Sequence, residues 1–148
     1  MPGNKKIVLL IILVILLSLS FPVSAQGLFL GIKQGTGSGP LGLEAELGIS
    51  KNIWIFTGGS YQYRTLILNS GIKAYLKEDP RGPYLGAFLG AVFDFFDEPQ
   101  RGFGLGTVIG YAWQPTSKLK FSLEGGMIFD SGGGRVPSAG LSLGYKIF

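Results

Sequence analysis

Apolar and small or charged residues alternate along most of this chain. From Phe103 the odd positions run Phe103, Leu105, Thr107, Ile109, Tyr111 and Trp113, separated by Gly104, Gly106, Val108, Gly110 and Ala112. The next segment sets Leu119, Phe121, Leu123, Met127 and Phe129 against Lys120, Ser122, Glu124, Gly126 and Asp130. The last sets Leu141, Leu143, Tyr145 and Ile147 against Gly140, Ser142, Gly144 and Lys146. Successive side chains of a strand point to opposite faces. Each segment therefore predicts a strand with one apolar face and one face of glycine and charge.

The same pattern recurs upstream. Strands are expected at 27–33, 41–49, 53–61, 65–77 and 84–95, ahead of those at 103–113 and 119–130 and a last one after residue 137. Turn-like clusters at 35–40, 50–52, 78–82, 97–101, 114–117 and 131–137 separate them. No stretch of this region has sustained helical spacing, and no linker divides it.

Eight antiparallel strands could form a sandwich, a soluble barrel or a membrane barrel, because exchanging inside and outside leaves the alternation unchanged. Three features favour lipid on the outside. The minority face is mostly Gly, Ala and Ser, whereas a water-exposed face should be rich in charge. Aromatic residues of the apolar face gather near strand ends: up-and-down topology would put Trp113, Phe121 and Tyr145 at one level and Phe95, Phe103 and Phe129 at the other. Two aromatic girdles around an aliphatic band mark a transmembrane barrel. Most segments also reach the ~9–11 residues of a tilted membrane strand. The expected fold is all-β, an eight-stranded antiparallel up-and-down transmembrane β-barrel. Its edges must close, since lipid cannot solvate open backbone groups. At about eight strands, side chains fill the lumen. Lys33, Glu44, Glu46, Lys73, Lys120, Glu124 and Lys146 share the inward parity. Their near balance of sign predicts a structural ion-pair network plugging the bore, with the pairs left open because parity does not give register.

The first 25 residues read differently. Lys5 and Lys6 precede an aliphatic run over 7–19, then Pro22 and the small residues Val23-Ser24-Ala25. This is the layout of a cleaved secretory signal. The competing reading, a retained anchor, needs ~20 apolar residues, more than the run supplies before Pro22. The expected organisation is a signal peptide at 1–25 and one barrel domain at 26–148.

Composition narrows the function classes. The chain has 25 glycines in 148 residues and only 15% charged residues, against about 25% in ordinary soluble domains. Part of the net charge of +4 sits in the signal, and no Lys/Arg stripe suggests nucleic acid. The sequence has neither cysteine nor histidine, so it lacks disulfides and the commonest general base and transition-metal ligand. No cofactor and no enzymatic activity are expected.

The export signal, the alternating strands, the short turns at 50–52 and 114–117 and the terminal run 141–148 ending in Phe148 resemble small eight-stranded outer-membrane barrels, the OmpA transmembrane-domain and OmpX group. The resemblance spans residues 26–148 and rests on pattern. It implies residence in the bacterial outer membrane and assembly by machinery that recognises a terminal Phe. The peptidoglycan-binding domain of some relatives is expected to be absent. Enzymatic barrels of similar size, the lipid A deacylases and acyltransferases, use His-based sites that this sequence cannot build.

Other candidate chemistry has plain structural readings. The spacing of Gly37, Gly39 and Gly42 matches a dinucleotide loop, but an alternating strand follows where that motif needs a helix. Gly82, Gly86 and Gly90 share a strand face with Tyr84 and Phe88, which predicts rings lying over glycines in the bore. Asp94, Asp97, Glu98 and Asp130 are expected as solvated charges at the outer end, with divalent-cation binding as the alternative. Arg64, Arg101 and Arg135 fall at the same rim, where arginine suits lipopolysaccharide phosphates. The expected function is a structural or interaction role in the cell envelope, with membrane lipids as partners and lipopolysaccharide as a candidate. A narrow small-solute channel and a soluble exported barrel binding an apolar ligand are the alternatives.

Overall fold

Every alternating segment is a strand in the computed structural model, which describes residues 26–35, 39–62, 65–94 and 101–148. The strands are β1 (Leu28–Gly35), β2 (Gly39–Gly48), β3 (Ile53–Gln62), β4 (Thr65–Tyr75), β5 (Gly82–Asp94), β6 (Arg101–Trp113), β7 (Leu119–Asp130) and β8 (Arg135–Lys146). They pair antiparallel in chain order and close into a barrel through β1 and β8. The closing ladder runs from Phe29 opposite Lys146 to Gly35 opposite Gly140. The proposed signal at 1–25 lies outside the described residues, as does Gly37 of the glycine-rich loop.

The two faces separate as the parity predicts. Leu43, Leu89, Ile109 and Leu123 point outward and are more than half exposed. Lys73, Lys120 and Glu46 point inward and are 0–2% exposed. The interior also holds Phe29, Trp54, Phe56, Tyr75, Tyr84 and Phe88 packed with Val108 and Ala112.

Several boundaries move. The expected turn at 35–40 is shorter, because Gly35 and Gly39 are already paired strand residues. The expected turn at 131–137 ends early, because β8 begins at Arg135 and includes Pro137. Among the described residues the β1–β8 ladder reaches only as far as Gly140, so Pro137 pairs on one side, with Met127, where proline is tolerated. β4 stops at Tyr75 and β5 starts at Gly82, where the backbone turns through Asp79 (φ 70°) and Gly82 (φ 76°). Glycine accommodates such a left-handed angle without strain.

Register explains how the bore is filled. Along β5 and β6 the facing inward pairs are Tyr84 and Gly110, Gly86 and Val108, Phe88 and Gly106. Large faces small at each step. A Cβ at Gly106 would collide with the Phe88 ring, and one at Gly110 with the Tyr84 ring. The rings thus press on Gly106 and Gly110 of the next strand; of the β5 glycines, Gly90 has the Phe88 ring within contact, whereas Gly82 meets Lys77 and Gly86 meets Val108. Directly opposite residues on adjacent strands stand ~4.5–5.5 Å apart, whereas same-face neighbours along a strand are two residues apart, so the cross-strand partner receives the ring.

Candidate functional site

The lumen is where the charged side chains meet. β1 contributes Lys33, β2 Glu44 and Glu46, β4 Lys73, and β7 Lys120 and Glu124. Each projects inward because it occupies the glycine-rich parity. The facing residues are small: Lys33 lies opposite Gly42, Glu44 opposite Gly58, Lys73 opposite Gly86, and Glu124 between Gly110 and Gly140. That leaves room for long side chains to cross the bore.

The charges alternate in sign through the cluster. Lys33 bridges Glu44 at 3.0 Å and Glu124 at 2.5 Å. Lys73 bridges Glu44 at 3.2 Å and approaches Glu124 to 4.0 Å, which closes a ring of four. Lys73 also bridges Glu46 at 2.5 Å, and the other Glu46 oxygen takes Lys120. The Tyr75 hydroxyl donates to Glu46 (3.4 Å) and the Tyr84 hydroxyl to Glu124 (2.8 Å). Three ammonium groups and three carboxylates thus balance, and every carboxylate oxygen has a partner. Rings take up the remaining faces of the ammonium groups: Lys73 lies 4.7 Å from the Phe56 ring and Lys120 4.7 Å from that of Phe29. Such contacts strengthen once water is removed.

Lys146 does not join the six. It lies at the end of β8 opposite Phe29, half-buried, with its side chain against Gly27, and it forms no ion pair among the described residues. Parity places it with the others, but its position at the strand end leaves it at the rim. Arg135 is exposed in β8 with its guanidinium 5.9 Å from the Phe129 ring, its pairing partner. Arg64 and the Arg101 side chain lie outside the described residues. So do Asp97, Glu98 and the Asp94 side chain. Asp130 accepts the Gly132 and Gly134 N–H groups at 2.8 and 2.9 Å and so organises its own turn. Among the described residues no group of three or more His, Cys, Asp or Glu could hold a metal ion.

The tyrosine and aromatic partners were only half legible. Parity put Tyr75 and Tyr84 inside, but their acceptors lie on β2 and β7. Trp54 and Phe56 were hidden because β3 begins apolar on both faces, with Ile53 and Ile55 alternating with them. Gly58 and Gly59 follow on opposite faces, so glycine gives no sign of which face turns in.

The voids on either side of the cluster are small. One touches Lys33, Phe88, Glu124 and Ser138, the other Phe29, Glu46, Lys120 and Ser142, and each holds about 10 Å3. That is space for about one water. The arrangement places six mutually satisfied charges and a jacket of rings across the lumen. Comparison with protein-family models, with curated proteins and with solved structures finds no match to this chain.

Proposed function

We propose that this barrel spans the bacterial outer membrane, is delivered there by a cleaved signal at 1–25, and serves a structural or interaction role with a plugged lumen. The observation that carries the reading is the inversion of polarity. Leu43, Leu85, Leu89, Leu105, Ile109, Leu123 and Leu141 cover the outside, each at least half exposed, while Lys73, Lys120 and Glu46 are sealed within. Water-soluble monomers seldom expose contiguous apolar patches beyond a few hundred Å2. Hydrocarbon around this surface removes that penalty, and closure gives every strand two neighbours.

The aromatic positions support the same reading. Tyr111, Trp113, Phe121 and Tyr145 face outward at the end that carries Gln26 and the terminal Phe148, with Trp113 paired to Phe121. Tyr61, Phe103 and Phe129 face outward near the opposite end, where Phe93 meets Phe103 edge-on at 6.4 Å. Aliphatic side chains fill the band between, the layout of interfacial girdles. The expected partner of Phe103 there, Phe95, lies outside the described residues. Lipid is the standing partner in this reading. Arg135, exposed beside Phe129, is the described rim arginine placed to meet a lipopolysaccharide phosphate. A fully paired glutamate set, with neither histidine nor cysteine in the chain, favours a role without catalysis.

Envelope fractionation followed by gel migration with and without boiling tests the reading. The expected result is a band that stays with the outer membrane, needs detergent for extraction and shifts on heating. A chain that purifies freely soluble without detergent overturns it.

A further inference from the structure

The end of the barrel that carries Gln26 and Phe148 holds an open groove of about 470 Å3 on its outer surface, lined by Trp113, Gln114, Pro115 and Phe121. Its walls are apolar, and two cations stand on the turns beside it. On one side the Arg81 guanidinium Nε donates to Gln114 Oε1 at 2.9 Å, which ties the arginine to the groove. On the other, the Lys118 ammonium lies 6.0 Å from the ring of Tyr145, and Tyr145 pairs with Leu119 next to the groove. The turn carrying Lys118 is held in place. Thr116 Oγ accepts the Lys118 and Leu119 N–H groups, and the Lys118 carbonyl accepts from the Lys146 N–H at 2.7 Å. Among the described residues neither Arg81 nor Lys118 has an ion-pair partner. Of the two carboxylates in the Arg81 turn, Glu78 is taken by Lys51 at 3.1 Å, and Asp79 is exposed and pairs with neither cation.

We infer that this groove is a binding site for one anionic phospholipid of the surrounding bilayer. An acyl chain lies along Trp113 and Phe121, and the phosphate sits at the level of the turns that carry Arg81 and Lys118. Charge complementarity selects the headgroup: two unpaired cations flank an apolar groove at the aromatic girdle, where the interface of a bilayer presents phosphate above hydrocarbon. Arginine adds a planar donor fork that matches phosphate oxygens. The inference rests on lipid surrounding the barrel.

Trp113 reports the site directly. The chain has two tryptophans, and Trp54 is buried in the lumen. The Trp54→Phe protein is reconstituted in phosphatidylcholine bilayers containing a minor, equal fraction of either dibrominated phosphatidylglycerol or dibrominated phosphatidylcholine, and quenching of Trp113 is compared. Should Trp54→Phe fail to fold, the difference between the native chain and Trp113→Phe yields the same signal. The expected result is a relative association constant favouring phosphatidylglycerol by about fivefold per cation at low salt, shrinking as salt rises. It should fall to about one in Arg81→Gln/Lys118→Gln. Equal quenching by the two lipids, or a preference that survives the double substitution, overturns the site while leaving the membrane reading intact. No quenching by either brominated lipid overturns both.

Discussion

Tyr84 reaches over Gly110 to hydrogen-bond Glu124 at 2.8 Å, so three adjacent strands meet through one tyrosine. Tyr84 of β5 pairs with Gly110 of β6, which pairs with Glu124 of β7. The ring needs the glycine: a Cβ on Gly110 would overlap it. A clash with a rigid ring cannot be relieved by a small side-chain rotation. Gly110→Ala is therefore expected to destabilise the folded barrel by about 1–3 kcal/mol, the usual range for overpacking. Tyr84→Phe, which keeps the ring and removes the donor, is expected to lose about 1–2 kcal/mol. Adding Tyr84→Ala to Gly110→Ala should remove the clash, so that the pair of losses is less than additive. Urea titration of the reconstituted barrel, read by the heat-sensitive gel shift, checks each value.

Glu46 is the most deeply buried carboxylate of the cluster, and Lys73, Lys120 and Tyr75 all converge on it. Glu46→Gln leaves three buried ammonium groups against two carboxylates. Breaking a buried pair from one side typically loses about 3–5 kcal/mol, because the orphaned charge stays desolvated. The loss should be largely recovered in Glu46→Gln/Lys120→Met, which restores neutrality and fills the Lys120 stem volume. Recovery measured in a double-mutant cycle shows that the penalty is uncompensated charge. Equal damage in the single and double substitutions shows that the packing of Glu46 itself matters more.

Much of this architecture can be read from parity alone. Leu123 and Glu124 are neighbours with opposite fates, and two-residue periodicity assigns them correctly outward and inward. What parity cannot give is the residue across the ladder. Tyr84 was expected to shade glycines on its own strand, yet register places Gly110 beneath it. Lys146 shares parity with Lys120 but stands at a strand end, so depth along the axis separates two lysines that pattern makes equivalent. Pro137 looked like turn chemistry because proline breaks a ladder paired on both sides. Only the stagger between β1 and β8 reveals that, among the described residues, Pro137 is paired on one side alone. Trp54 and Phe56 escaped because β3 begins apolar on both faces.

The jacket of rings and the paired charges should stop ions as well as solutes. Voids of about 10 Å3 flank the cluster, each about the size of a single water. A permeating ion would have to shed its hydration among groups that already satisfy one another. Planar-bilayer recordings of the reconstituted protein are expected to give no steady single-channel current at moderate voltage. A stable conductance in most insertions would replace the plugged reading with the narrow-channel one.

Leu123 offers the sharpest test of what wets the outside. It is 54% exposed on β7, flanked by Tyr111 on β6 and Leu141 on β8. Both flanking side chains also point outward, so the position lies within the aliphatic and aromatic surface and away from the turns. In water, Leu123→Arg would exchange an exposed leucine for a soluble cation and leave stability almost unchanged. In hydrocarbon the same substitution loses about 2–4 kcal/mol at mid-depth and less near the interface. Leu123→Phe keeps the position apolar and should be tolerated. Glu124→Gln, which also unbalances the cluster, is expected to lose less than Glu46→Gln, because Lys33 retains Glu44, Lys73 retains Glu44 and Glu46, and the amide oxygen still accepts from Tyr84. Folding yield into liposomes, scored by the unboiled fast-migrating band, compares the three. A Leu123→Arg protein that folds as well as Leu123→Phe would place water against this face and refute the lipid-facing assignment.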